Sequence, residues 1–200
     1  MLELRKRAPK AKVKKPAPSK KVAQLEDEAG PLPEELRAYF RVCDGVEPPL
    51  GPRLYSVDDM LGIDTPGFFA ISGDDAGDYD LVAARFEPGA GAVVFWDHES
   101  GEVGPVLASS VTRYVEIWAS RCPRSSADFE ALAPLAPASR KKLDPAAVAL
   151  SRSKTFTEQL GVVRLELVDR SGKSKPRVGI NPFTKQPMTF PAAPSRRTRG

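Results

Sequence analysis

The feature that most restricts the fold of this chain is a series of short apolar runs between residues 68 and 106, separated by turn-forming segments rich in Gly, Asp and Pro. Each run is shorter than an ordinary helix and ends at turn residues, which is typical of strands in an antiparallel meander. The 20 prolines and 15 glycines among 200 residues also exclude a chain built mainly of long helices. We therefore predict four strands, at residues 68–72, 79–86, 92–96 and 103–106.

A helix is predicted on each side of these strands in the sequence. Pro33 and the two glutamates after it suit the first turn of the earlier helix, and Asp44-Gly45 ends it. Ser109 or Ser110 caps the later helix, in which apolar residues recur at helical spacing over residues 111–118. The order of helix, antiparallel strands and helix predicts an α+β fold with the helices packed on one face of the sheet.

Charge is distributed very unevenly along the chain. Residues 1–30 carry nine Lys and Arg and four Asp and Glu, a net charge of +5. Residues 31–138 carry seven Arg, no Lys and 18 acidic residues, a net charge of −11. Residues 139–200 carry fourteen basic and four acidic residues, a net charge of +10. The formal net charge of +4 therefore conceals an acidic globule between two basic arms, which bears on partners rather than on the fold.

Composition divides the chain into four regions. Residues 1–30 are predicted to be a disordered basic arm, because they hold too few large apolar side chains to offset the entropy of ordering. Residues 31–122 form the folded module. Residues 123–153, rich in Ala, Pro and Ser, are predicted to be a linker, and residues 154–200 a basic C-terminal segment with a small β-ribbon.

Several functional classes find no support in the sequence. No apolar run is long enough to span a membrane, and the basic N-terminus has no apolar signal core, so we expect a cytoplasmic protein. Cys43 and Cys122 do not make a disulfide framework or a metal cluster. The acidic residues at 74–80 match no calcium-loop spacing, and His98, the only histidine, has no nucleophile suggested beside it. We expect no enzyme activity, no metal and no cofactor.

The module carries an ordered set of motifs with a family resemblance. The set comprises the helix start at 32–36 and its end at Asp44-Gly45, then the segments 69–74, 77–81 and 94–99, and finally the helix that reaches Trp118. In order and spacing, residues 31–120 resemble the SMI1/KNR4 (SUKH) family. The resemblance implies a SUKH-like meander sheet flanked by two helices, and a binding module rather than an enzyme. Many bacterial members of that family are immunity proteins that neutralise toxins, often nucleases, and eukaryotic members act in cell-wall and signalling regulation.

The charge of the module indicates where a partner would bind. A net charge of −11 attracts a basic protein and steers its association, and nuclease toxins have basic substrate grooves that an acidic inhibitor could cover. Two alternatives stay open at this point: acidity for solubility alone, and basic arms that fold back on the globule. The predicted partner-binding residues lie in two turns and the adjoining strands: Asp74, Asp75, Asp78, Asp80, Trp96, Asp97, His98 and Glu99.

A second resemblance lies near the C-terminus. The segments 178–185 and 188–190 are similar to the β-ribbon arm of HU-type nucleoid proteins, within residues 177–192. In that family an Asn-Pro pair at the ribbon tip enters the DNA minor groove. This chain has Ile180 where that family has arginine, and it lacks the dimerising helical body. The residues that would contact nucleic acid are Lys173, Lys175, Arg177, Asn181, Pro182, Lys185, Arg196, Arg197 and Arg199.

Two functional hypotheses follow from these features. The first is a non-enzymatic immunity protein that sequesters a basic toxin or nuclease through its acidic surface in a bacterial cytoplasm. The second is a nucleic-acid-associated architectural or regulatory protein that binds DNA through its basic arms. A toxin gene beside the gene for this chain would favour the first hypothesis. The sequence leaves the partner and the oligomeric state open.

Overall fold

The computed structural model describes residue 6 and residues 8–74, 77–122 and 141–161, apart from the Asp64 side chain, together with the backbone of residues 168–169, 177–180 and 187–190. The helices are α1 Ser19–Ala29, α2 Glu34–Val42, α3 Val57–Leu61, α4 Val111–Arg121, α5 Pro145–Ser151 and α6 Lys154–Gly161. The strands are β1 Lys12–Val13, β2 Val46–Glu47, β3 Ile63–Asp64, β4 Phe68–Gly73, β5 Tyr79–Ala83, β6 Val93–Trp96, β7 Val103–Ala108, β8 Val168–Asp169, β9 Arg177–Ile180 and β10 Pro187–Phe190.

Four of these strands form the central sheet. They pair antiparallel in the order β4-β5-β6-β7, so that each strand lies beside the next in the sequence. Tyr79 pairs with Trp96, and Trp96 pairs with Val103. The predicted α+β fold with an antiparallel meander is confirmed. Strand β5 ends earlier than predicted, at Ala83, whose carbonyl accepts from the Gly91 amide at 2.7 Å where the chain turns back toward β6.

The sheet continues beyond β4 toward the N-terminus of the chain. Leu54 forms bridges to both Val46 and Ser72, and so links β2 to β4. Strand β1 pairs antiparallel with β2, with Lys12 opposite Glu47. Residues from the predicted disordered arm therefore form the outermost strand on this side of the sheet.

The N-terminal segment, residues 8–30, is folded where it is described, so the prediction of a disordered arm is wrong for this part of the chain. The Asp44 amide donates to the Lys15 carbonyl at 2.8 Å, and the Ala17 amide donates to the Phe40 carbonyl at 3.0 Å. Leu25 of α1 is 1% exposed and belongs to the hydrophobic core. The burial of a few apolar side chains, together with backbone pairing, offsets the entropy cost of ordering this segment. The composition alone had indicated that this cost would not be met.

The lysines of the N-terminal segment pair with acidic residues of the module. Lys12 and Lys14 lie 3.3 and 3.2 Å from the two carboxylate oxygens of Glu47. Lys21 of α1 forms an ion pair with Asp58 of α3. One basic arm thus folds back on the acidic globule, which was one of the alternatives left open by the sequence.

Helices α2 and α4 pack near each other and help to cover the sheet. The cap of α4 is confirmed, since the Ser110 hydroxyl accepts from the Arg113 amide at 3.3 Å. Glu35 of α2 accepts from the Thr112 amide at 2.8 Å, which joins the starts of the two helices. Tyr114 of α4 is buried. These contacts fix α4 against the strands that carry the candidate site.

Helices α5 and α6 lie within the predicted linker and C-terminal segment, and they belong to the fold. The buried carboxylate of Asp144 accepts from the Ala147 amide at 3.0 Å, which caps α5, and from the Ser109 amide at 2.7 Å at the end of β7. Phe156 of α6 is fully buried against Phe86. The linker prediction is therefore wrong for residues 145–153, because Asp144 and Phe156 anchor this part to the module.

The C-terminal strands are described by their backbone alone. Strand β8 pairs antiparallel with β3, and β9 pairs antiparallel with β10, with Arg177 opposite Phe190. An antiparallel ribbon was predicted in this region, and the pairing of β9 with β10 agrees with it. Its predicted tip, Asn181-Pro182, lies outside the described residues.

Candidate functional site

Two turns lie side by side at one end of the central sheet, because β4-β5 and β6-β7 are hairpins of the same meander. In the first turn, one carboxylate oxygen of Asp74 accepts from the Gly77 amide at 3.0 Å and from the Asp78 amide at 3.1 Å. The Asp74 amide in turn donates to the Asp78 carbonyl at 3.1 Å. Asp74 therefore holds the shape of this turn with one oxygen.

The second turn is organised in the same way by Asp97. One of its carboxylate oxygens accepts from the Glu99 amide at 2.8 Å and from the Ser100 amide at 3.4 Å. Its backbone carbonyl accepts from the Gly101 amide at 2.9 Å, where Gly101 has a φ of +68°. A glycine is favoured there because other residues rarely adopt that conformation.

Asp78 and His98 join the two turns. A single oxygen of Asp78 accepts from the His98 amide at 3.0 Å and lies 2.8 Å from its Nδ1. The imidazole also packs over Gly77, where a Cβ would lie 3.6 Å from His98 Cγ and the φ is +109°. We call this end of the sheet, formed by Asp74, Gly77, Asp78 and residues 97–102, the acidic end.

The contact between Asp78 and His98 shifts the pKa of each group. Partial burial acts to raise the pKa of Asp78, but the side-chain and backbone hydrogen bonds from His98, and its charge, outweigh this and leave the pKa lowered. The hydrogen bond to Asp78 raises the pKa of His98, and the nearby Glu99 and Asp97 act in the same direction. Protonation of His98 is therefore favoured by the acidic end.

Two glutamates complete the acidic end. Glu99 and Glu102 are both exposed. Neither forms an ion pair with a Lys or Arg side chain among the residues that the structure describes. Their charge is therefore available to a partner, whereas the described aspartates of the turns each use one oxygen to hold the local backbone or His98.

Asp80, one of the predicted partner-binding residues, does not belong to this surface. Its carboxylate accepts a hydrogen bond from the buried hydroxyl of Tyr114 on α4. The pKa of Asp80 is raised to about 6: burial and the charges of Asp74 and Asp78 raise it, and the hydrogen bond from Tyr114 acts to lower it. The prediction is corrected in this respect, because the side chain of Asp80 points toward α4 and not toward a partner at the turns.

Trp96 is also too buried to be a surface contact. It is 5% exposed, and its ring lies 5.9 Å from that of Tyr79, which in turn lies 6.3 Å from the ring of Tyr55. A Cβ on Gly73 would lie 2.4 Å from the Tyr55 hydroxyl, so no side chain fits between these rings. Trp96 therefore supports the acidic end from within the core.

One group of side chains at the acidic end has the chemistry of metal ligands. Asp78, Asp97 and His98 each bring one ligand atom to within 4.8 Å of the others. The Nδ1 atom of His98 is already bonded to Asp78, and one oxygen of Asp97 accepts from two backbone amides. These bonds account for the geometry of the three side chains, so we assign no metal to them.

The remaining chemistry of the described residues gives no arrangement for catalysis. Cys43 and Cys122 form no disulfide bond among the described residues, and burial raises the pKa of both thiols, which disfavours the reactive thiolate. His98, within the part of the chain that the structure describes, has its Nδ1 directed at Asp78 and not at a hydroxyl or thiol. His98 therefore acts as a link between the two turns.

Sequence reasoning and the structure differ in which residues they bring together. Asp74, Asp78, Asp97, His98 and Glu99 are gathered at one end of the sheet, as the prediction required. Asp75 lies outside the described residues. The side chains of the predicted nucleic-acid contacts lie outside them as well, because Arg177 is the one member of that set with a described backbone and its side chain is not described. The prediction missed Glu102, although it follows Glu99 within the same turn.

Comparison with protein-family models and with curated proteins finds no match for this chain. In the described part of the chain, no helix combines the length and the apolar character needed to cross a bilayer.

Proposed function

We propose that this protein is a non-enzymatic binding module whose acidic end engages a basic protein, as an immunity protein of the SMI1/KNR4 (SUKH) type engages a nuclease toxin. The observation that carries the proposal is the acidic end itself. Its turns are held together by the bond between Asp78 and His98, and Glu99 and Glu102 extend from it with their charge unpaired among the described residues.

The design of the turns supports binding by charge. Hydrogen bonds from backbone amides to the carboxylates of Asp74 and Asp97 fix the backbone before any partner arrives, so little conformational entropy is lost on association. A preformed patch of one sign accelerates the encounter with a surface of the opposite sign, and this effect weakens with added salt. A basic nucleic-acid-binding groove of a nuclease is a surface of the required kind.

The test begins with proteins encoded beside the gene for this chain, selected for a basic nuclease domain. Association with the full chain is measured by surface plasmon resonance, and inhibition by a nuclease assay. We expect the variant Glu99→Gln/Glu102→Gln to associate more slowly, by about twofold to tenfold, and to show a weaker salt dependence.

A matched control removes the same amount of charge elsewhere. Asp27 at the end of α1 and Glu87 after β5 are both exposed, so Asp27→Asn/Glu87→Gln changes the net charge equally. This variant is expected to associate at nearly the wild-type rate. Equal slowing by the two double variants would reject the acidic end as the contact surface.

A second candidate function has one observation in its favour. Strands β9 and β10 pair as an antiparallel ribbon, the element through which HU-type proteins contact DNA. In this candidate, the protein binds nucleic acid through the ribbon and the basic residues around it. Removal of residues 171–200 is then expected to abolish retention on DNA at low salt and to leave the melting temperature of the module nearly unchanged. Full DNA binding by the truncated chain would reject the ribbon.

A further inference from the structure

Asp80 is an acidic residue adjacent to the acidic end that does not serve as a surface contact. Its carboxylate meets the Tyr114 hydroxyl on α4, and its register partners on the neighbouring strands are Ser72 and Phe95. Among the residues that the structure describes, no Lys or Arg forms an ion pair with it. The proton affinity of a carboxylate placed between a strand and a helix in this way depends on the electrostatic field of the neighbouring charges.

We propose that Asp80 is a proton-exchanging group that couples the acidic end to pH, so that binding of a cationic partner at the turns releases a proton from Asp80 to solvent. The same coupling means that protonation of Asp80 weakens the binding of that partner. This inference rests on the proposed function, because the cationic occupant is the partner that function requires. Tyr114 keeps its own proton throughout and remains a hydrogen-bond donor to the carboxylate.

The direction of the coupling follows from the charges around Asp80. Burial is the main cause that raises its pKa, the hydrogen bond from Tyr114 opposes it, and the negative charges of Asp74 and Asp78 in the preceding turn add to it, which together place the pKa at about 6. A positive partner beside that turn opposes the field of these two carboxylates, which makes the ionised form of Asp80 less unfavourable. Because linkage between two binding events is reciprocal, the proton and the partner weaken each other's binding to the same degree.

The other titratable groups near Asp80 can be separated from it. Tyr114 on α4 and Tyr55 beside β4 both have pKa values raised by burial, so they stay protonated in this range. His98 bonds to Asp78 and its pKa is raised, so its titration also changes the charge of the acidic end. A comparison of wild type with Asp80→Asn keeps His98 in both proteins.

The test uses the full chain with an octalysine peptide as the cationic probe. Isothermal titration near pH 6, in two buffers of different ionisation enthalpy, gives the number of protons released on binding. We expect wild type to release more protons than Asp80→Asn. We also expect the wild-type affinity to rise between about pH 5 and 7, by about tenfold for each unit by which binding lowers the pKa of Asp80, and the affinity of Asp80→Asn to rise less.

A second measurement uses the wild-type protein alone, so its result does not depend on whether a variant folds. The carboxyl carbon shift of Asp80, followed by nuclear magnetic resonance in wild type with and without octalysine, is expected to titrate at lower pH when the peptide is bound. An unchanged midpoint, or equal proton release by wild type and Asp80→Asn, overturns the coupling and leaves the acidic end as a binding surface. Octalysine binding that Glu99→Gln/Glu102→Gln does not weaken, or no binding at all, counts against the proposed function as well.

Discussion

The side of the module covered by the N-terminal segment and the acidic end both carry carboxylates, but in opposite circumstances. Glu47 and Asp58 are paired with lysines of the N-terminal segment. Glu99 and Glu102 at the acidic end are exposed and form no such pair within the described residues. Of these four carboxylates, the fold neutralises the two beneath the N-terminal segment and leaves the two at the acidic end exposed.

This difference shows why charge counted along a chain is a poor guide to a binding surface. An acid paired with a lysine of the same molecule contributes little to the field that a partner meets.

The largest effect is expected from loss of the apolar anchor of the N-terminal segment. Leu25 is 1% exposed, so Leu25→Ala should lower the free energy of unfolding by about 2–5 kcal/mol. Urea denaturation followed by circular dichroism measures the change. Gln24→Ala, at an exposed position of the same helix, is the control and should have little effect. A change in Leu25→Ala no larger than in this control would mean that the segment does not hold the lysines in place.

The second effect concerns the pH dependence of stability. The folded-state pKa of Asp80 is raised to about 6, so the folded protein binds a proton more readily than the unfolded chain between about pH 4 and 6. The free energy of unfolding should therefore fall as the pH rises through this window and stay lower above it. Asp80→Asn should remove this decrease. At neutral pH the variant should therefore have a free energy of unfolding about 1–2 kcal/mol above that of wild type, and the difference is no larger because Asp80 keeps some contact with solvent.

Denaturation of wild type and Asp80→Asn at several pH values measures this difference. Glu26 and Glu47 have lowered pKa values, so their contributions are lost on acidification and have the opposite sign. The two glutamates are present in wild type and in Asp80→Asn, so their contributions to the free energy of unfolding cancel when the two proteins are compared. Parallel stability curves for the two proteins between about pH 4 and 6 would contradict the placement of Asp80 against Tyr114.

The third effect concerns the bond that joins the two turns. Asp78→Asn removes the charge that raises the pKa of His98, so the imidazole should titrate at lower pH than in wild type. Nuclear magnetic resonance of the ring protons measures the midpoint, and His98 is the only histidine to be assigned. Glu87→Gln provides a control remote from the ring. An unshifted midpoint would show that the turns are not joined in solution.

The smallest effect is expected where the charge is already paired. Lys21 and Asp58 form an exposed ion pair, so Lys21→Ala should change the free energy of unfolding by no more than about 1 kcal/mol. The same variant leaves Asp58 without its lysine and should accelerate octalysine binding slightly. A double-mutant cycle with Asp58→Ala isolates the pair, and a coupling free energy well above that of exposed ion pairs would show that this side depends on charge for its stability.

The sequence was most informative where local signals and burial coincide. The turn residues between β4 and β7 and the serine before α4 allowed the meander and its flanking helix to be predicted, because turns and caps are fixed by a few residues. The acids of the two turns were predicted as partner contacts from the charge of the module, and the structure brings the described ones together because alternate turns of a meander lie at the same end of the sheet.

The errors arose where long-range contacts decided the outcome. Composition gave the N-terminal segment as disordered, but the burial of Leu25 depends on a core that only the folded module provides. Asp144 before Pro145 is a recognisable helix start that composition obscured, and its bond to Ser109 joins positions 35 residues apart. Side chains alternate between the two faces of the sheet along β5, so Asp80 lies on the face of Val82 and opposite to Tyr79 and Leu81. Its burial results from the contact with α4, and the local sequence pattern carries no information about that contact.

The pairing of β1 with β2 has a consequence for any shortened form of the protein. Residues 12–13 cover the edge of a sheet whose next strand begins with the fully buried Val46. Without them, the backbone groups of β2 would face solvent as an unprotected edge, and such edges recruit strands from other molecules. A chain trimmed of its lysine-rich beginning to improve its behaviour in solution is therefore expected to aggregate more readily than the intact protein.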